Sequence, residues 1–504
     1  MRPFASPVDR KPFVTLEQNH QTASPSTGTL THRTGPVIAL LVGSAFVVIL
    51  NETIMGVALP RLMTDLDITA ATAQWLTTGF LLTMAIVIPC TGYLLARFPL
   101  RGLFFTAMSL FATGTLIAAL SPGFEMLLAG RVVQASGTAI MIPLLFTTVL
   151  NVVAPERRGR MMGVITIVIA VAPAIGPTVA GVVLSALDWR WMFWLVLPIA
   201  LLAIALGAVW VRNVTETSHA TFDPLSAVLA AIGFGGSIYG LSLIGESASG
   251  DTPVSFWVPL VVGAVALGVF VLRQLSLQKT DTAFLDLRTF ASRSFSLAVA
   301  LVVVVMAALF GSLILLPLFL QDALGLDTLE VGLMMLPGGV LMGVIAPIVG
   351  ALFDRFGPRP LVLPGMSVAA VALWGMTTFD MDTEIWWIVL VYMVLNLGLG
   401  FVFTPLLTSA LGSLPRALYS HGSAVMSTLQ QVAGAAGTAL FITLMSLGTR
   451  RAEDAGDGPA EALAAGVHSA FLVGAVIATV AVALTLFVRR PADVEEPSPQ
   501  VVGH

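Results

Sequence analysis

The sequence predicts an all-α polytopic membrane protein with fourteen transmembrane helices, in which an inserted helix pair separates two six-helix bundles. Three observations lead to this prediction: the composition, the spacing of apolar runs and an internal repeat. Of the 504 residues, 57% are hydrophobic and 10% are charged, whereas soluble domains contain about 45–50% apolar and about 25% charged residues. This composition excludes a soluble globular enzyme, and the single cysteine, Cys90, excludes an intrachain disulfide framework.

Apolar runs of about 20 residues, long enough to cross a hydrocarbon core of about 30 Å, mark the predicted spans. The first six lie at 36–58, 74–95, 103–120, 126–150, 162–186 and 191–211. A pair follows at 225–245 and 254–273, and the last six lie at 294–318, 329–351, 361–379, 385–408, 423–447 and 466–488. The predicted domains are a disordered cytoplasmic tail (1–35), an N-terminal bundle (36–211), an inserted two-helix linker (212–293), a C-terminal bundle (294–490) and a second cytoplasmic tail (491–504).

The distribution of basic residues predicts the orientation, because Lys and Arg near span ends are retained on the cytoplasmic side. With a cytoplasmic N-terminus, nearly all of the 24 basic residues lie inside. Those outside are Arg61, Arg190, Arg450 and Arg451. An even number of spans then places the C-terminus in the cytoplasm as well. Residues 1–35 contain no apolar core of a signal peptide, so the first span is expected to act as its own insertion signal.

An internal repeat supports the two bundles. The segments GYLLARFPLR (92–101) and GALFDRFGPR (350–359) align without a gap and agree at five of ten positions. Each lies between the second and third spans of its six-span group, where a duplicated bundle places it. Two bundles related in this way carry a substrate site at their interface in one transporter architecture.

Glu52 is the single carboxylate deep in a predicted span, where a charged side chain costs about 2.5–3.5 kcal/mol. One interpretation is a proton-coupling group that alternates between its protonated and ionised forms during transport. The alternative is a carboxyl group near the outer end of the span that reaches water or a backbone donor.

Arg131 lies near the start of the fourth span and cannot lose its proton, so it cannot carry a transported proton itself. It is expected to bias the protonation of Glu52 or to bind an anionic or polar partner. Gln134 lies three residues further on the same helical face. The alternative is an arginine that reaches back to the membrane interface.

Two further groups of residues suggest moving parts. Gly176, Pro177 and Gly181 combine small residues with a helix breaker in the fifth span, which suits a tight hinge between bundles, although ordinary helix packing is the alternative. Asp354, Arg355 and Arg359 lie at a predicted cytoplasmic span end, where they are expected to pair with helix termini or with the opposite bundle. The alternative is that the basic residues of this short loop serve only to set the orientation of the chain in the membrane.

Aromatic, thioether and amide side chains within the spans are candidates for a broad, adaptable substrate pocket. They are Trp75, Met141, Phe319, Gln321, Asn396, Phe403 and Gln430. Helix packing or lipid contact is the alternative for most of them. The sequence shows no phosphate-binding glycine loop, no paired metal-ligand histidines and no serine nucleophile motif, so we expect no enzymatic activity, no metal and no cofactor.

Several of these segments together resemble the major facilitator superfamily, and within it the fourteen-span drug:H+ antiporter branch of multidrug and lincomycin-resistance efflux permeases. Gly350, Asp354, Arg355, Gly357 and Arg359 match the loop signature of the superfamily. The first copy keeps Gly92 and Arg97 but has Ala96 and Pro99 in place of its aspartate and glycine.

Three motifs within the spans extend this resemblance to nearly the whole chain. Arg131, Gln134 and Gly137 resemble the motif of the fourth span. Gly176, Pro177 and Gly181 resemble the antiporter motif of the fifth span. The segment NETIMGVALP (51–60) resembles the motif of the first span, with Asn51 in place of the more common aspartate and Glu52 supplying the carboxylate.

The resemblance implies a proton-driven exporter of lipophilic, cationic drug-like molecules that works by alternating access. The expected partners are a small-molecule substrate, protons and membrane lipid, with no nucleic acid, and the chain is expected to be a monomer powered by the proton gradient. The alternatives are a dedicated exporter of one endogenous metabolite, lipid or antibiotic, and a membrane sensor that does not transport. The excess of arginine over the two lysines, Lys11 and Lys279, suggests a GC-rich bacterial genome and therefore a plasma-membrane location.

Overall fold

Helices make up most of the chain that the structure, a computed structural model, describes: residues 31–213, 222–247, 255–280 and 282–488. The long helices are α1 (Thr31–Asp65), α2 (Ala70–Arg97), α3 (Leu100–Ala119), α4 (Phe124–Val152), α5 (Arg158–Ala186), α6 (Trp191–Trp210), α7 (Pro224–Ser247), α8 (Trp257–Leu277), α9 (Arg293–Leu318), α10 (Thr328–Phe356), α11 (Arg359–Met376), α12 (Ile385–Gly412), α13 (Tyr419–Ala455) and α14 (Pro459–Thr485). Short 3-10 turns and one π turn connect some of them. No strand occurs within these ranges.

Thirteen of the helices in the described ranges are long and apolar enough to cross a membrane. The fifth helix makes a fourteenth span if its two parts, Pro155–Pro173 and Thr178–Ala186, are taken together across a bend of 40°. Proline lacks the amide hydrogen that an α-helix requires, and the sequence at this bend contains Pro173. The prediction of an all-helical, polytopic membrane protein is therefore confirmed.

Several helices are longer than the predicted spans. The first and thirteenth were predicted at 36–58 and 423–447, but the helices run over Thr31–Asp65 and Tyr419–Ala455. Apolar runs locate only the part of a helix that lies in hydrocarbon, whereas backbone hydrogen bonding continues into its polar ends. The predicted tail residues 1–30 and 491–504 lie outside the described ranges.

Helix α10 is capped at both ends, and its C-terminal end shows why glycine occurs at position 357 in the second copy of the signature. Asp327 and Glu330 form a reciprocal capping box at the start of α10. The helix ends at Gly357, whose φ of 80° lies in the region that favours glycine. The chain then turns directly into α11.

Helix contacts divide the long helices into two sets joined along two interfaces. Helices α1 to α6 pack on one another, and α9 to α14 do the same. The sets meet where α5 packs against α10 and where α2 packs against α13. A side chain at Gly163 or Gly350 would collide with backbone atoms across the α5–α10 interface, so the two helices approach backbone to backbone there.

The inserted pair lies beside the second interface. Helix α7 packs against α8 and also against α2 and α13. A bidentate ion pair joins the two inserted helices: Arg273 donates to both carboxylate oxygens of Asp223 at 2.8 and 2.9 Å. Gln274 of α8 accepts the backbone N–H groups of Phe284 and Leu285. These contacts anchor the segment that leads to α9.

We predict that Asp223→Asn weakens the pairing of α7 with α8. The hydrogen bonds and charge of Arg273 lower the pKa of Asp223 to about 2. The ion pair therefore stabilises the folded protein fully above about pH 4, the pKa of an unfolded aspartate, and this stabilisation is lost as the pH falls toward 2. Thermal unfolding of purified protein should show a Tm lower by a few degrees at neutral pH.

The pH dependence separates this prediction from a general packing defect. The Tm difference between wild type and Asp223→Asn should be constant near neutrality and should narrow below about pH 4. Asp382→Asn, at an exposed aspartate, is the matched control and should leave the Tm unchanged. A difference that does not vary with pH would contradict the role of the ion pair.

Candidate functional site

A buried arginine organises the interior of the first helix set. Arg131 of α4 is 1% exposed. Its Nη1 donates to Asn51 Oδ1 of α1 at 3.1 Å and to Gln134 Oε1 at 2.7 Å, and its Nε donates to the Leu76 carbonyl of α2 at 3.4 Å. The guanidinium carbon lies 4.0 Å from the centroid of the Phe80 ring. Three helices therefore provide the polar and π-electron contacts that replace water around the charge.

The network extends to α3. Gln134 Nε2 donates to Thr115 Oγ1 at 2.8 Å, and Thr115 in turn donates to the Phe111 carbonyl at 2.7 Å. With its oxygen accepting from Arg131 and its nitrogen donating to Thr115, the Gln134 amide has a fixed orientation. Linked polar groups of this kind hold side chains in one arrangement when each has a partner.

Glu52 lies beside this network without joining it through an ion pair. Its side chain is partly buried, and its charge interacts with that of Arg131. In the described part of the chain the two residues form no ion pair within 4.0 Å. The two charges that the sequence placed in the same functional hypothesis therefore interact without forming an ion pair.

Helix α5 packs directly against the residue that follows Glu52. A Cβ atom at Gly176 would collide with the side chain of Thr53, so glycine permits this close approach. Gly181 is different: a Cβ atom there would meet no atom within 4 Å. The side chain of Pro177 lies outside the described part of the structure. Of the three motif residues in α5, Gly176 is therefore the one with a packing requirement that the structure shows.

The remaining motif residues of the first helix set lie at helix contacts or helix ends. A Cβ atom at Gly137 would collide with the backbone of α3 at Ala107 and Phe111. A Cβ atom at Gly92 would lie 3.2 Å from Leu285 and 3.3 Å from His421 Nδ1. Arg97 is exposed in the last turn of α2. Gly92 therefore marks a contact between α2, the segment after α8 and the start of α13.

Asp354 joins the two helix sets. Its carboxylate accepts the backbone N–H of Gly159 at 2.7 Å and that of Arg160 at 2.9 Å. These N–H groups lie in the first turn of α5, where an α-helix has no internal acceptor for them. The carboxylate therefore caps α5 from α10 and also lies at the positive end of its dipole. Arg355 and Arg359 are exposed beside it.

Further hydrogen bonds cross between the sets, and the sequence did not predict the residues that form them. Arg158 Nη1 donates to the Tyr419 hydroxyl at 3.0 Å. Two hydroxyl pairs add to this contact: Thr147 with Ser423 at 2.7 Å, and Thr404 with Thr166 at 2.9 Å. The partners are more than 200 residues apart in the chain, and no local pattern relates them.

The predicted pocket residues lie in different environments. Met141, Phe319 and Phe403 are fully buried, and Phe319 stacks on Phe379 with ring centroids 6.2 Å apart. Trp75 is exposed and contacts Tyr239 of α7, and Gln321 is partly buried. Asn396 donates to the Tyr392 carbonyl, and the amide nitrogen of Gln430 is buried without a partner in the described structure. A shared substrate pocket made of these side chains stays a prediction.

The described ranges contain no group of three or more His, Cys, Asp or Glu residues that could hold a metal ion. The chemistry that the site offers is that of one partly buried carboxyl group near a permanent positive charge. Such a carboxyl can change its net charge by binding a proton, whereas the arginine cannot.

We predict that Arg131→Ala strongly destabilises the protein. Removing the guanidinium leaves Asn51 Oδ1 and Gln134 Oε1 without their buried donor, and each unsatisfied buried acceptor costs about 1–3 kcal/mol. The measurement is the Tm of the purified variant in detergent. Arg61→Ala is the control, because Arg61 is an exposed arginine whose i,i+4 ion pair with Asp65 contributes little. Equal Tm values for the two variants would contradict the structural role of the network.

Comparison with known proteins agrees with this architecture. Residues 41–438 match the family described as Major Facilitator Superfamily. The chain is 43% identical over 460 residues to lincomycin resistance protein LmrB of Listeria monocytogenes, covering 90% of this chain and 97% of the relative. It is 40% identical over 461 residues to LmrB of Bacillus subtilis, covering 90% and 96%. It is also 30% identical over 400 residues to the multidrug resistance protein B homolog of Mycobacterium tuberculosis, covering 79% and 73%.

Two solved structures share the fold. The human organic anion transporter MFSD10 (TETRAN) matches with a TM-score of 0.59 and 14% identity over 88% of this chain and 99% of its own. The proton:xylose symporter XylE matches with a TM-score of 0.61 and 14% identity over 91% and 97%. Together with the apolar helices, the bacterial relatives agree with a multi-pass protein of the bacterial plasma membrane. The chain therefore belongs to the Major Facilitator Superfamily and is a membrane transporter, not an enzyme.

Proposed function

We propose that this transporter is a proton-coupled antiporter that exports lipophilic, cationic drug-like compounds by alternating access. The observation that carries the proposal is the isolated carboxyl of Glu52 beside the buried guanidinium of Arg131. The relatives named lincomycin resistance and multidrug resistance proteins support the substrate class.

Glu52 is suited to exchange a proton for a cationic substrate. Its carboxylate has no ion-pair partner in the described structure, so its ionised form is available to a cation or a proton. Because a carboxylate cannot be neutralised by both at once, binding of one favours loss of the other, which is the requirement for antiport.

The two helix sets are proposed to be two six-helix bundles that rock against each other. The Asp354 cap, the bond from Arg158 to Tyr419 and the Thr147–Ser423 pair join the sets at the end predicted to be cytoplasmic. These contacts close that end in the present conformation. Opening to the cytoplasm requires the Asp354 carboxylate to leave the start of α5.

A dedicated exporter of one endogenous metabolite, lipid or antibiotic is the second candidate. Such an exporter would use the same Glu52 carboxyl and the same Asp354 cap, and only the side chains of its substrate pocket would differ from those of a multidrug exporter. The buried and unpartnered amide nitrogen of Gln430 favours this candidate, because a fixed donor recognises one acceptor geometry. Substrate range separates the two: transport of several unrelated cations supports multidrug export.

We predict that Glu52→Gln abolishes the dependence of transport on the pH gradient. A glutamine amide keeps the size of the side chain but does not titrate. The measurement is ethidium movement in proteoliposomes under an imposed pH gradient. Glu125→Gln changes an exposed carboxyl at the start of α4 and should behave as wild type.

The outcomes distinguish coupling from substrate identity. Loss of gradient dependence in Glu52→Gln alone supports the coupling assignment. If Glu52→Gln responds to the gradient as wild type does, Glu52 is not the coupling group. If neither protein moves dye, multidrug export is contradicted and the dedicated exporter is favoured.

We predict that Asp354→Asn shifts the protein toward the conformation open to the cytoplasm. Asparagine removes the charge at the helix start and keeps only one acceptor oxygen for the two backbone N–H groups. This loss costs about 1–2 kcal/mol, which changes the equilibrium between conformations roughly 5- to 30-fold. Spin labels at Ala154→Cys and Ala417→Cys, in a Cys90→Ala background, report the distance between the two helix sets because both alanines are exposed. The variant should show a larger fraction of long distances.

Asp322→Asn serves as the control, because Asp322 is an exposed aspartate in the π turn after α9. Its distance distribution should match that of wild type. Identical distributions in Asp354→Asn and wild type would contradict the gating role of the cap.

A further inference from the structure

We propose that a groove on the membrane-facing surface of α1, α3 and α6 binds one anionic phospholipid. In this site the acyl chain lies in the groove and the phosphate binds the guanidinium groups of Arg101 and Arg212. The groove has a volume of about 380 Å³, and neither Glu52 nor Arg131 is among the residues that line it. The inference therefore goes beyond the proposed antiport activity and does not depend on it.

The walls of the groove suit a hydrocarbon chain. They are formed mainly by apolar residues, including Gly43 and Val47 of α1, Met108 of α3, and Leu206 and Trp210 of α6. Other side chains along the same part of α6, Ile199 and Leu202, are 48% and 58% exposed, and in a membrane such exposed apolar groups contact lipid tails. The groove thus opens toward the bilayer.

The length of the groove matches one leaflet. Its wall on α6 runs from Ile199 to Trp210, which corresponds to about 16 Å at 1.5 Å per residue. Half of a hydrocarbon core of about 30 Å is about 15 Å. A single acyl chain that extends from the interface toward the bilayer midplane therefore fits along it.

Positive charge lies at one end of the groove. Arg101, in the first turn of α3, donates from Nη2 to the Ala208 carbonyl at 3.1 Å, and its backbone N–H donates to Asn213 Oδ1 at 3.2 Å. Both contacts place Arg101 at the last turn of α6, beside Trp210 and Arg212. Arg101 and Arg212 are exposed, and within the described ranges neither forms an ion pair with a carboxylate.

This arrangement favours an anionic head group. An arginine has five N–H donors, so Arg101 keeps donors for phosphate oxygens after its bond to Ala208. Tryptophan at the level of the head groups is typical of a membrane interface. The predicted orientation places this end in the cytoplasmic leaflet, where basic residues bind anionic lipids.

The test compares lipid binding by four proteins in detergent. Gly43→Leu fills the groove without a clash, because a Cβ atom at Gly43 meets nothing within 4 Å. Arg101→Gln removes one charge and leaves the groove open. Gly268→Leu, at another glycine with open space around its Cβ atom but on α8, is the matched control. Native mass spectrometry measures the occupancy by added phosphatidylglycerol or phosphatidylcholine, and thermal unfolding verifies that each variant is folded.

Wild type and Gly268→Leu should retain phosphatidylglycerol at higher occupancy than phosphatidylcholine and should gain a higher Tm from it. Gly43→Leu should lose the bound lipid and the Tm gain. Arg101→Gln should show a smaller preference for phosphatidylglycerol over phosphatidylcholine than wild type, because Arg212 keeps the second positive charge. Equal occupancy of the two lipids in wild type, or undiminished binding in Gly43→Leu, would overturn the proposal. Displacement of phosphatidylglycerol by ethidium would also overturn it and would assign the groove to the transported substrate.

Discussion

The positive charge of Arg131 must be solvated by protein, because it lies where neither water nor lipid head groups reach. That requirement brings together Asn51 of α1, the Leu76 carbonyl of α2 and Gln134 of α4, and it extends through Thr115 to α3. None of these contacts includes the carboxyl of Glu52, which has no ion-pair partner in the described structure. The proposed coupling rests on this carboxyl beside the solvated charge of Arg131.

Helix α5 connects this carboxyl to the far end of the interface between the helix sets. It begins under the Asp354 carboxylate at Gly159, and about 25 Å further along its axis Gly176 packs on Thr53, next to Glu52. The helix bends by 40° between Pro173 and Thr178, where Gly176 lies. A helix that touches both sites is the physical route by which protonation at Glu52 is proposed to influence the cap.

The inserted helices and the lipid groove are formed against different helices: α2 and α13 for the inserted pair, and α1, α3 and α6 for the groove. Helix α7 packs against both α2 and α13, so it lies beside the interface that these two helices form. His421, at the start of α13, accepts the backbone N–H of Asp286 at 3.3 Å, which ties the segment after α8 to the second helix set. The groove of α1, α3 and α6 belongs entirely to the first set and faces lipid. The inserted pair thus contacts both helix sets, whereas the groove lies on the first set alone.

Composition and apolar run length determined the helical, polytopic architecture, because a hydrocarbon solvent accepts only long segments whose backbone groups are paired internally. The sequence also singled out Glu52, Arg131 and Asp354, because charges in or beside predicted spans are costly and rare. Only the tertiary structure decided their partners: Arg131 bonds to Asn51 instead of Glu52, and Asp354 caps a helix almost 200 residues away in the chain. It also revealed Arg158 with Tyr419 and the lipid groove. These features arise from the packing of helices distant in sequence, which periodicity and composition do not encode.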